Sequence, residues 1–250
     1  MKYKLSIISL FATLTLLCSC APPDAMGVSA DTAKENVSQS GETGEEYIDS
    51  FIFFGESTTY HLKSRGVLRD GKNTHQVWAP KNGTVNLDTT TRAIRIVYPE
   101  KGEEITLGEA VKRKKPQRML LTFGLNGAVE KIRRGENFFR TCYLSLIDEI
   151  RSNSPETEII LHSCFPIADT MDMSDYSVDA PTLMEYIDII NGWTGALAND
   201  EGLSYLDTAN SFKDERGFLR DEYDVGDGHH LTAAAYIKMI EIIKEYGEKQ

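Results

Sequence analysis

Apolar residues along this chain fall into short unbroken runs separated by longer stretches with helical spacing. Five runs have the length and composition of strands that are buried on both faces: residues 51–54, 94–98, 119–123, 158–162 and 203–206. Unbroken apolar runs, as opposed to alternating apolar and polar positions, are typical of parallel strands covered by helices on both sides. The pattern therefore predicts the strands of a central, mainly parallel sheet.

Four amphipathic helices are predicted between and after these runs: residues 105–115, 136–152, 182–198 and 232–246. Large apolar residues recur in them every three or four positions, as Phe139, Tyr143 and Leu146 do. Pro116 closes the first helix and Pro181 opens the third. Strands that alternate with helices of this length favour βαβ units, so we expect an α/β fold, a three-layer α/β/α sandwich with roughly five strands.

Residues 75–87 interrupt this alternation. Two short strand-like segments flank Pro80-Lys81-Asn82-Gly83, whose residue types favour a tight turn. We therefore predict a β-hairpin inserted over one edge of the sheet. Residues 169–178, rich in Asp, Met and Ser, show no period and predict a loop near the rim of the sheet.

The first twenty residues have the composition of a targeting segment. Lys2 and Lys4 precede an apolar run over residues 5–17, which is shorter than the roughly 20 residues of a membrane span. The run ends in Leu17-Cys18-Ser19-Cys20, which is similar to a bacterial lipobox with cleavage before Cys20. The alternative is an ordinary signal peptide that happens to end in Cys.

These features predict three parts of the chain: a lipoprotein signal peptide over 1–19, a flexible tether over 20–44 and one folded domain over 45–250. The tether is predicted because it has almost no large apolar residues to bury. Lipidation of Cys20 would anchor an extracytoplasmic domain to the bacterial cell membrane.

Charge and cysteine content narrow the choice of partners. The formal charge of −11 argues against nucleic acid, which binds through concentrated Lys and Arg.

Cys142 and Cys164 could form a disulfide or remain two buried thiols, and neither has the spacing of a zinc ligand. His229 and His230 are adjacent, which is a poor arrangement for chelating one ion, so we expect no metal.

Candidate reactive residues lie near both ends of the folded part. Gly55-Glu56-Ser57 follows the first predicted strand, and Asp227-Gly228-His229-His230 precedes the last helix. A serine, a histidine to take its proton and an acid to orient the histidine are the parts of a nucleophilic triad. Because ligands of open α/β sheets bind at the carboxyl ends of the strands, we expect these residues and Asn126, which follows the third strand, to converge there.

In order and context, residues 51–59, 122–127 and 227–236 resemble the SGNH (GDSL-like) hydrolase family of serine esterases. The resemblance implies a flavodoxin-like sheet with Ser57 as nucleophile, His230 as general base and Asp227 as its partner. The implied oxyanion donors are the Asn126 side chain and the backbone N–H groups of Ser57 and Gly83. No metal or organic cofactor is implied.

Two positions depart from the family pattern. Glu56 replaces the usual Asp before the nucleophile, and Gly127 replaces the Asp that commonly follows the Asn. Both positions normally support the site, so we expect these two departures to affect the geometry of the site and the rate of the reaction more than its type.

The resemblance implies hydrolysis of carboxylic esters through an acyl-enzyme on Ser57. Removal of O-acetyl groups from envelope or extracellular glycans is the leading expectation. A lysophospholipase or lipid esterase and a catalytically weak, lipid-anchored binding protein remain open alternatives. The oligomeric state also remains open.

Overall fold

The computed structural model describes residues 42–249, which are built around a central five-stranded sheet. Its helices and strands, in chain order, are α1 (Gly44–Asp49), β1 (Phe51–Gly55), α2 (Ser57–Arg65), β2 (Val77–Trp78), β3 (Arg95–Tyr98), β4 (Glu103–Thr106), α3 (Leu107–Lys114), β5 (Arg118–Thr122), α4 (Ala128–Arg134), α5 (Glu136–Asn153), β6 (Glu158–His162), α6 (Ala180–Asp200), β7 (Ser204–Leu206) and α7 (Ala233–Gly247). The sheet order is β2-β1-β5-β6-β7, and all neighbouring strands are parallel.

Helices cover both faces of this sheet, which explains the unbroken apolar runs. Ile52 and Phe54 of β1 lie in the core formed with α3 to α6, whereas Phe53 lies in the core formed with α1, α2 and α7. Successive strand residues point to opposite faces, so a strand covered on both sides is apolar at every position. The predicted α/β/α sandwich is therefore confirmed.

The prediction chose one wrong strand for the main sheet. The edge position belongs to β2, which pairs with β1 through Phe53 and Val77. The predicted strand 94–98 is instead β3, which forms a separate antiparallel pair with β4. Ile96 is buried and Arg95 is exposed, so β3 has one solvent-facing side. A hairpin is thus present, but at residues 95–106 and not at 75–87.

The helix boundaries follow local capping signals. Asp179 accepts a hydrogen bond from the Thr182 N–H at the start of α6, and Thr232 caps α7 in the same way through Ala235. The predicted helix 105–115 begins later, at Leu107, because the preceding residues form β4. The short helices α1, α2 and α4 were not predicted.

The beginning of the described chain is part of the folded domain. Glu42 forms an ion pair with Arg118, and Thr43 caps α1, so residues 42–44 of the predicted tether belong to the fold. The predicted signal peptide, Cys20 and residues 21–41 lie outside the described residues. Among the described helices, none combines the length and apolar character needed to cross a membrane.

Cys142 and Cys164 are both buried, and both are free thiols. Burial raises the pKa of each thiol. Of the two alternatives, a disulfide or two buried thiols, the second is therefore correct.

Candidate active site

The site lies at the carboxyl ends of the central strands. Ser57 is the first residue of α2 and follows the last residue of β1, Gly55, after a single connecting residue. Gly55 and Thr122 are paired across β1 and β5, so the chain after β5 emerges next to Ser57. A Cβ on Gly55 would lie 2.4 Å from the Thr122 carbonyl oxygen, so only glycine allows this close approach.

Ser57, His230 and Asp227 form a continuous chain of hydrogen bonds. The Ser57 Oγ atom is 2.9 Å from His230 Nε2, and His230 Nδ1 is 2.8 Å from Asp227 Oδ2. Because an ionised carboxylate can only accept, the proton between His230 and Asp227 belongs to Nδ1. Nε2 is then left as an acceptor for the Ser57 hydroxyl, which is the tautomer a general base requires.

Backbone groups hold the Asp227 carboxylate in place. Its Oδ1 atom accepts hydrogen bonds from the N–H groups of His229, at 3.1 Å, and His230, at 2.9 Å. Burial acts to raise the pKa of Asp227, but these N–H groups and the His230 ring outweigh it and lower the pKa to about 2. Asp227 is therefore ionised at neutral pH and can stabilise a protonated His230.

The loop that carries these residues is fixed by Asp224 and Gly228. Asp224 Oδ1 accepts from the Gly226 N–H, at 2.9 Å, and from the Gly228 N–H, at 3.0 Å. Gly228 has a φ of 85°, and a Cβ there would lie 2.5 Å from the Met171 Cα atom. No other residue type fits this position without displacing the chain around Met171.

Three imidazole rings lie together at the site. The His230 ring centroid is 4.2 Å from that of His61 and 4.0 Å from that of His229. Burial and then the nearby His230 lower the pKa of His61 to about 4. His61 is therefore neutral at pH 7 and packs against the His230 ring without adding a charge beside it.

Glu56 connects the nucleophile segment to the loop after β5. Its side chain is 2% exposed and accepts from the Gly124 N–H at 2.9 Å and from the Leu125 and Asn126 N–H groups at 3.1 Å. Burial raises the pKa of Glu56, while the Lys131 charge and these three donors act in the opposite direction. The residue that departs from the family pattern is thus a central support of the site.

The two other predicted oxyanion residues lie in the same region but are engaged elsewhere. The Asn126 Nδ2 atom donates to Thr84 Oγ1 at 2.9 Å and to the Val85 carbonyl at 3.3 Å. The Gly83 N–H donates to the Pro80 carbonyl at 2.9 Å and closes the turn predicted there. The donors of both residues are therefore bonded within the protein, and their oxyanion roles stay predictions.

His162, at the end of β6, is completely buried. One ring nitrogen bonds Thr122 Oγ1 at 3.0 Å and the other bonds Thr208 Oγ1 at 2.8 Å. Burial lowers the pKa of His162 to about 3, so the ring is neutral in the native protein. It joins the ends of β5 and β6 to the segment that follows β7, which is a structural role.

Within residues 42–249, Asp227, His229 and His230 also form a group whose possible metal-ligand atoms all lie within 4.8 Å of one another. The absence of a metal and of a cofactor therefore stays a prediction.

Sequence reasoning missed three supports of this site: Asp224, Thr84 and Lys131. Asp224 had a detectable signal, since Asp followed by glycines at positions 226 and 228 favours a side-chain–backbone turn. Thr84 and Lys131 had none. Both act through contacts with Asn126 that depend on how separate loops are packed together.

The sequence matches the GDSL-like lipase/acylhydrolase family over residues 53–237. The chain therefore belongs to this family, and the resemblance noted in the sequence is confirmed. It is a GDSL-type serine hydrolase that acts on ester bonds. A comparison with curated proteins found no significant match.

Solved structures share the fold at low sequence identity. A protein from Streptococcus pneumonia, provisionally assigned as a platelet activating factor, is 19% identical with a TM-score of 0.54, covering 85% of this chain and 86% of its own. A provisionally assigned acylhydrolase from Bacteroides fragilis is 18% identical with a TM-score of 0.54, covering 80% and 86%. A DUF4886 family protein from Bacteroides uniformis is 14% identical with a TM-score of 0.54, covering 80% and 83%.

Proposed function

We propose that the protein hydrolyses carboxylic esters through an acyl-enzyme on Ser57, with His230 as base and Asp227 as its partner. The observation that carries the proposal is the hydrogen-bonded chain from Ser57 Oγ through both His230 nitrogens to Asp227. An isolated serine is a weak nucleophile, and this chain supplies both the proton acceptor and the group that orients it.

The reaction follows from this geometry in two halves. His230 Nε2 takes the hydroxyl proton as Ser57 Oγ attacks the carbonyl carbon, and Asp227 stabilises the imidazolium that results. His230 then returns the proton to the departing alcohol, which leaves an acyl group on Ser57. Water attacks this ester in the second half, with His230 again as base, and the carboxylic acid is released.

The negative oxygen of the tetrahedral intermediate needs hydrogen-bond donors. The Ser57 N–H is at the first position of α2, where a backbone N–H has no partner within its own helix. Asn126 supplies the second donor by exchanging its longer contact, 3.3 Å to Val85, for the substrate oxygen. Thr84 retains the other amide hydrogen and keeps the side chain in place.

An acetylated glycan is the proposed substrate. The triad is partly open to solvent, with Ser57 half-buried and the His230 and Asp227 side chains 17% and 44% exposed, so a bulky leaving group can approach it from that side. A deep acyl pocket would need a long apolar run near the reactive residues, and the sequence has none there. This favours short acyl groups. Assignment of the target to the cell envelope or extracellular polysaccharide rests on the predicted anchor at Cys20.

Labelling with a fluorophosphonate probe tests the chemistry. We expect the wild-type protein to react and both Ser57→Ala and His230→Ala to be inert, with His75→Ala, an exposed histidine, as the control. Wild-type protein that stays unlabelled would contradict the proposal. It would favour the binding-protein alternative, which has one structural argument: both Asn126 amide hydrogens are already bonded.

A substrate panel then separates the two esterase alternatives. Faster hydrolysis of p-nitrophenyl acetate and acetylated glycans than of octanoate esters and lysophosphatidylcholine supports a deacetylase. The reverse order would support a lipid esterase.

Membrane anchoring is tested separately. We expect mass spectrometry of the native protein to show a lipid-modified N-terminal Cys20, and Cys20→Ala to block that processing. A mature protein that begins elsewhere without lipid would remove the membrane from the proposal.

A further inference from the structure

Lys131 is a buried cation outside the triad. It lies on α4 with 3% of its surface exposed, and its Nζ atom donates to the Asn126 carbonyl oxygen. Burial of an ammonium group is costly unless its charge and hydrogen bonds are compensated. A lysine at this position therefore indicates a role that an apolar residue would not fill.

Glu56 is the buried acidic group beside the same loop. Burial raises the pKa of Glu56 overall, and the charge of Lys131 acts in the opposite direction, in favour of the carboxylate. Glu56 is also the acceptor for three consecutive backbone N–H groups, of which the last is that of Asn126. The carboxylate and the ammonium group thus act on the same short loop.

Asn126 is held from both sides by this pair. Glu56 binds the N–H of Asn126, and Lys131 binds its carbonyl oxygen. The next residue, Gly127, has a φ of 70° and begins α4, the helix that carries Lys131. A Cβ at Gly127 would lie 3.5 Å from the Lys131 Nζ atom, so the ammonium group lies directly beside this turn.

This arrangement leaves the Asn126 side chain as the movable part of a fixed residue. The oxyanion role requires the amide to turn from Val85 to the substrate oxygen while the backbone stays in place. A fixed backbone limits that rearrangement to side-chain rotation, which preserves the donor geometry.

We propose that Lys131 is a positioning residue which, together with Glu56, fixes the Asn126 backbone so that its side-chain amide can serve the oxyanion site. This inference rests on the proposed function, because it requires Asn126 to be an oxyanion donor. Lys131 itself contacts neither the nucleophile nor the base among the described hydrogen bonds and acts through Asn126.

A double-mutant cycle of Lys131→Met and Asn126→Ala tests the inference, with p-nitrophenyl acetate as substrate. Misplacement of a catalytic group by about 1 Å costs up to roughly 100-fold, so we expect Lys131→Met to lower kcat by about 10–100-fold with little change in KM. In the Asn126→Ala background the same substitution should cost less than about threefold, because the group it positions is gone. Lys112→Met, at an exposed lysine on α3, serves as the control.

The outcomes distinguish the inference from the proposed function. Equal losses from Lys131→Met in both backgrounds, or no loss in either, would overturn the positioning role while leaving the triad intact. A near-wild-type kcat for Asn126→Ala would instead refute the oxyanion assignment on which it rests. If Lys131→Met does not fold, Lys131→Gln, which removes the charge and retains a donor, is carried through the same cycle and judged by the same coupling.

Discussion

Two groups of polar residues at the carboxyl ends of the strands differ in how far they are exposed to solvent. The reactive part, comprising Ser57, Asp227 and His230, is partly open to solvent: Ser57 is half-buried, and the His230 and Asp227 side chains are 17% and 44% exposed. The supporting part, comprising Glu56, Lys131 and His162, is buried to 3% exposure or less. Reacting groups must reach substrate and exchange protons, whereas supporting groups must hold one geometry.

The difference predicts different consequences of substitution. The Ser57 and His230 side chains bond to each other and to Asp227 at the surface end of the site, so changing them should affect chemistry more than the fold. Buried polar groups satisfy one another, and removing one leaves its partners without water or protein to bond. Changing them should therefore affect the free energy of unfolding as well.

The largest expected effect is loss of activity from the reactive part. Ser57→Ala or His230→Ala should lower kcat by at least about 10⁴-fold, and the double mutant should be within about threefold of either single mutant, since the residues act as one unit. Steady-state kinetics measure kcat, and thermal melting measures the stability of each variant. Multiplicative losses, or a large fall in melting temperature, would contradict this view of the open part.

Asn126→Ala should have the next largest effect. Removing one oxyanion donor costs about 10²–10³ in kcat, and KM should change little because the bond strengthens only as charge develops. Asn137→Ala, an exposed asparagine on α5, is the matched control. A near-wild-type kcat in a stably folded Asn126→Ala protein would show that the donors lie elsewhere.

The buried part should control the response of the fold to acid. The pKa of His162 is lowered from 6.5 to about 3, so the unfolded chain takes up a proton in a range where the native protein does not. The associated stability is present above pH 6.5 and is lost as pH falls towards 3, by up to a few kcal/mol. Urea unfolding of the wild type and of His162→Gln at pH 7 and 5 measures this dependence.

His162→Gln should flatten that dependence, even if it lowers stability at pH 7. His75→Gln, at an exposed histidine, should leave the dependence unchanged. If the free energy of unfolding of His162→Gln falls as steeply between pH 7 and pH 5, other groups cause the response to acid.

The smallest expected effect comes from the histidine next to the base. The His229 side chain packs on His230, and its Nδ1 atom lies 3.2 Å from the Asp227 carbonyl oxygen. The hydrogen bond at 3.1 Å to the Asp227 carboxylate comes from the His229 backbone N–H, which His229→Ala retains. We therefore expect kcat/KM to fall by less than about threefold. A loss as large as that from His230→Ala would mean that the wrong base was chosen.

Much of the fold followed from local pattern, and the exceptions have physical causes. The runs at 119–123 and 158–162 were recognisable because both faces of these strands are buried. Val77–Trp78 was recognised as strand-like but was placed in a hairpin, and 94–98 was placed in the main sheet, because apolar content alone does not identify a pairing partner.

The candidate site divides in the same way. The types and order of Ser57, Asp227 and His230 were visible in the sequence because each follows or precedes a recognisable element. Gly83 was chosen by spacing, and its N–H proved to be committed to the turn that the same residues form. In the sequence, nothing distinguishes Lys131 from an exposed lysine on a helix. Only the structure shows that it is buried and bonded to Asn126.

The sequence by itself determined the alternation of strands and helices, the family and the candidate reactive side chains, because these depend on neighbours along the chain or on short motifs. Only the tertiary structure decided that Ser57 and His230, separated by 173 positions, lie 2.9 Å apart. It also decided that Glu56 and Lys131 hold Asn126 from opposite sides. Hydrogen bonds between separate loops depend on how the sheet brings strand ends together, and no local pattern encodes that distance.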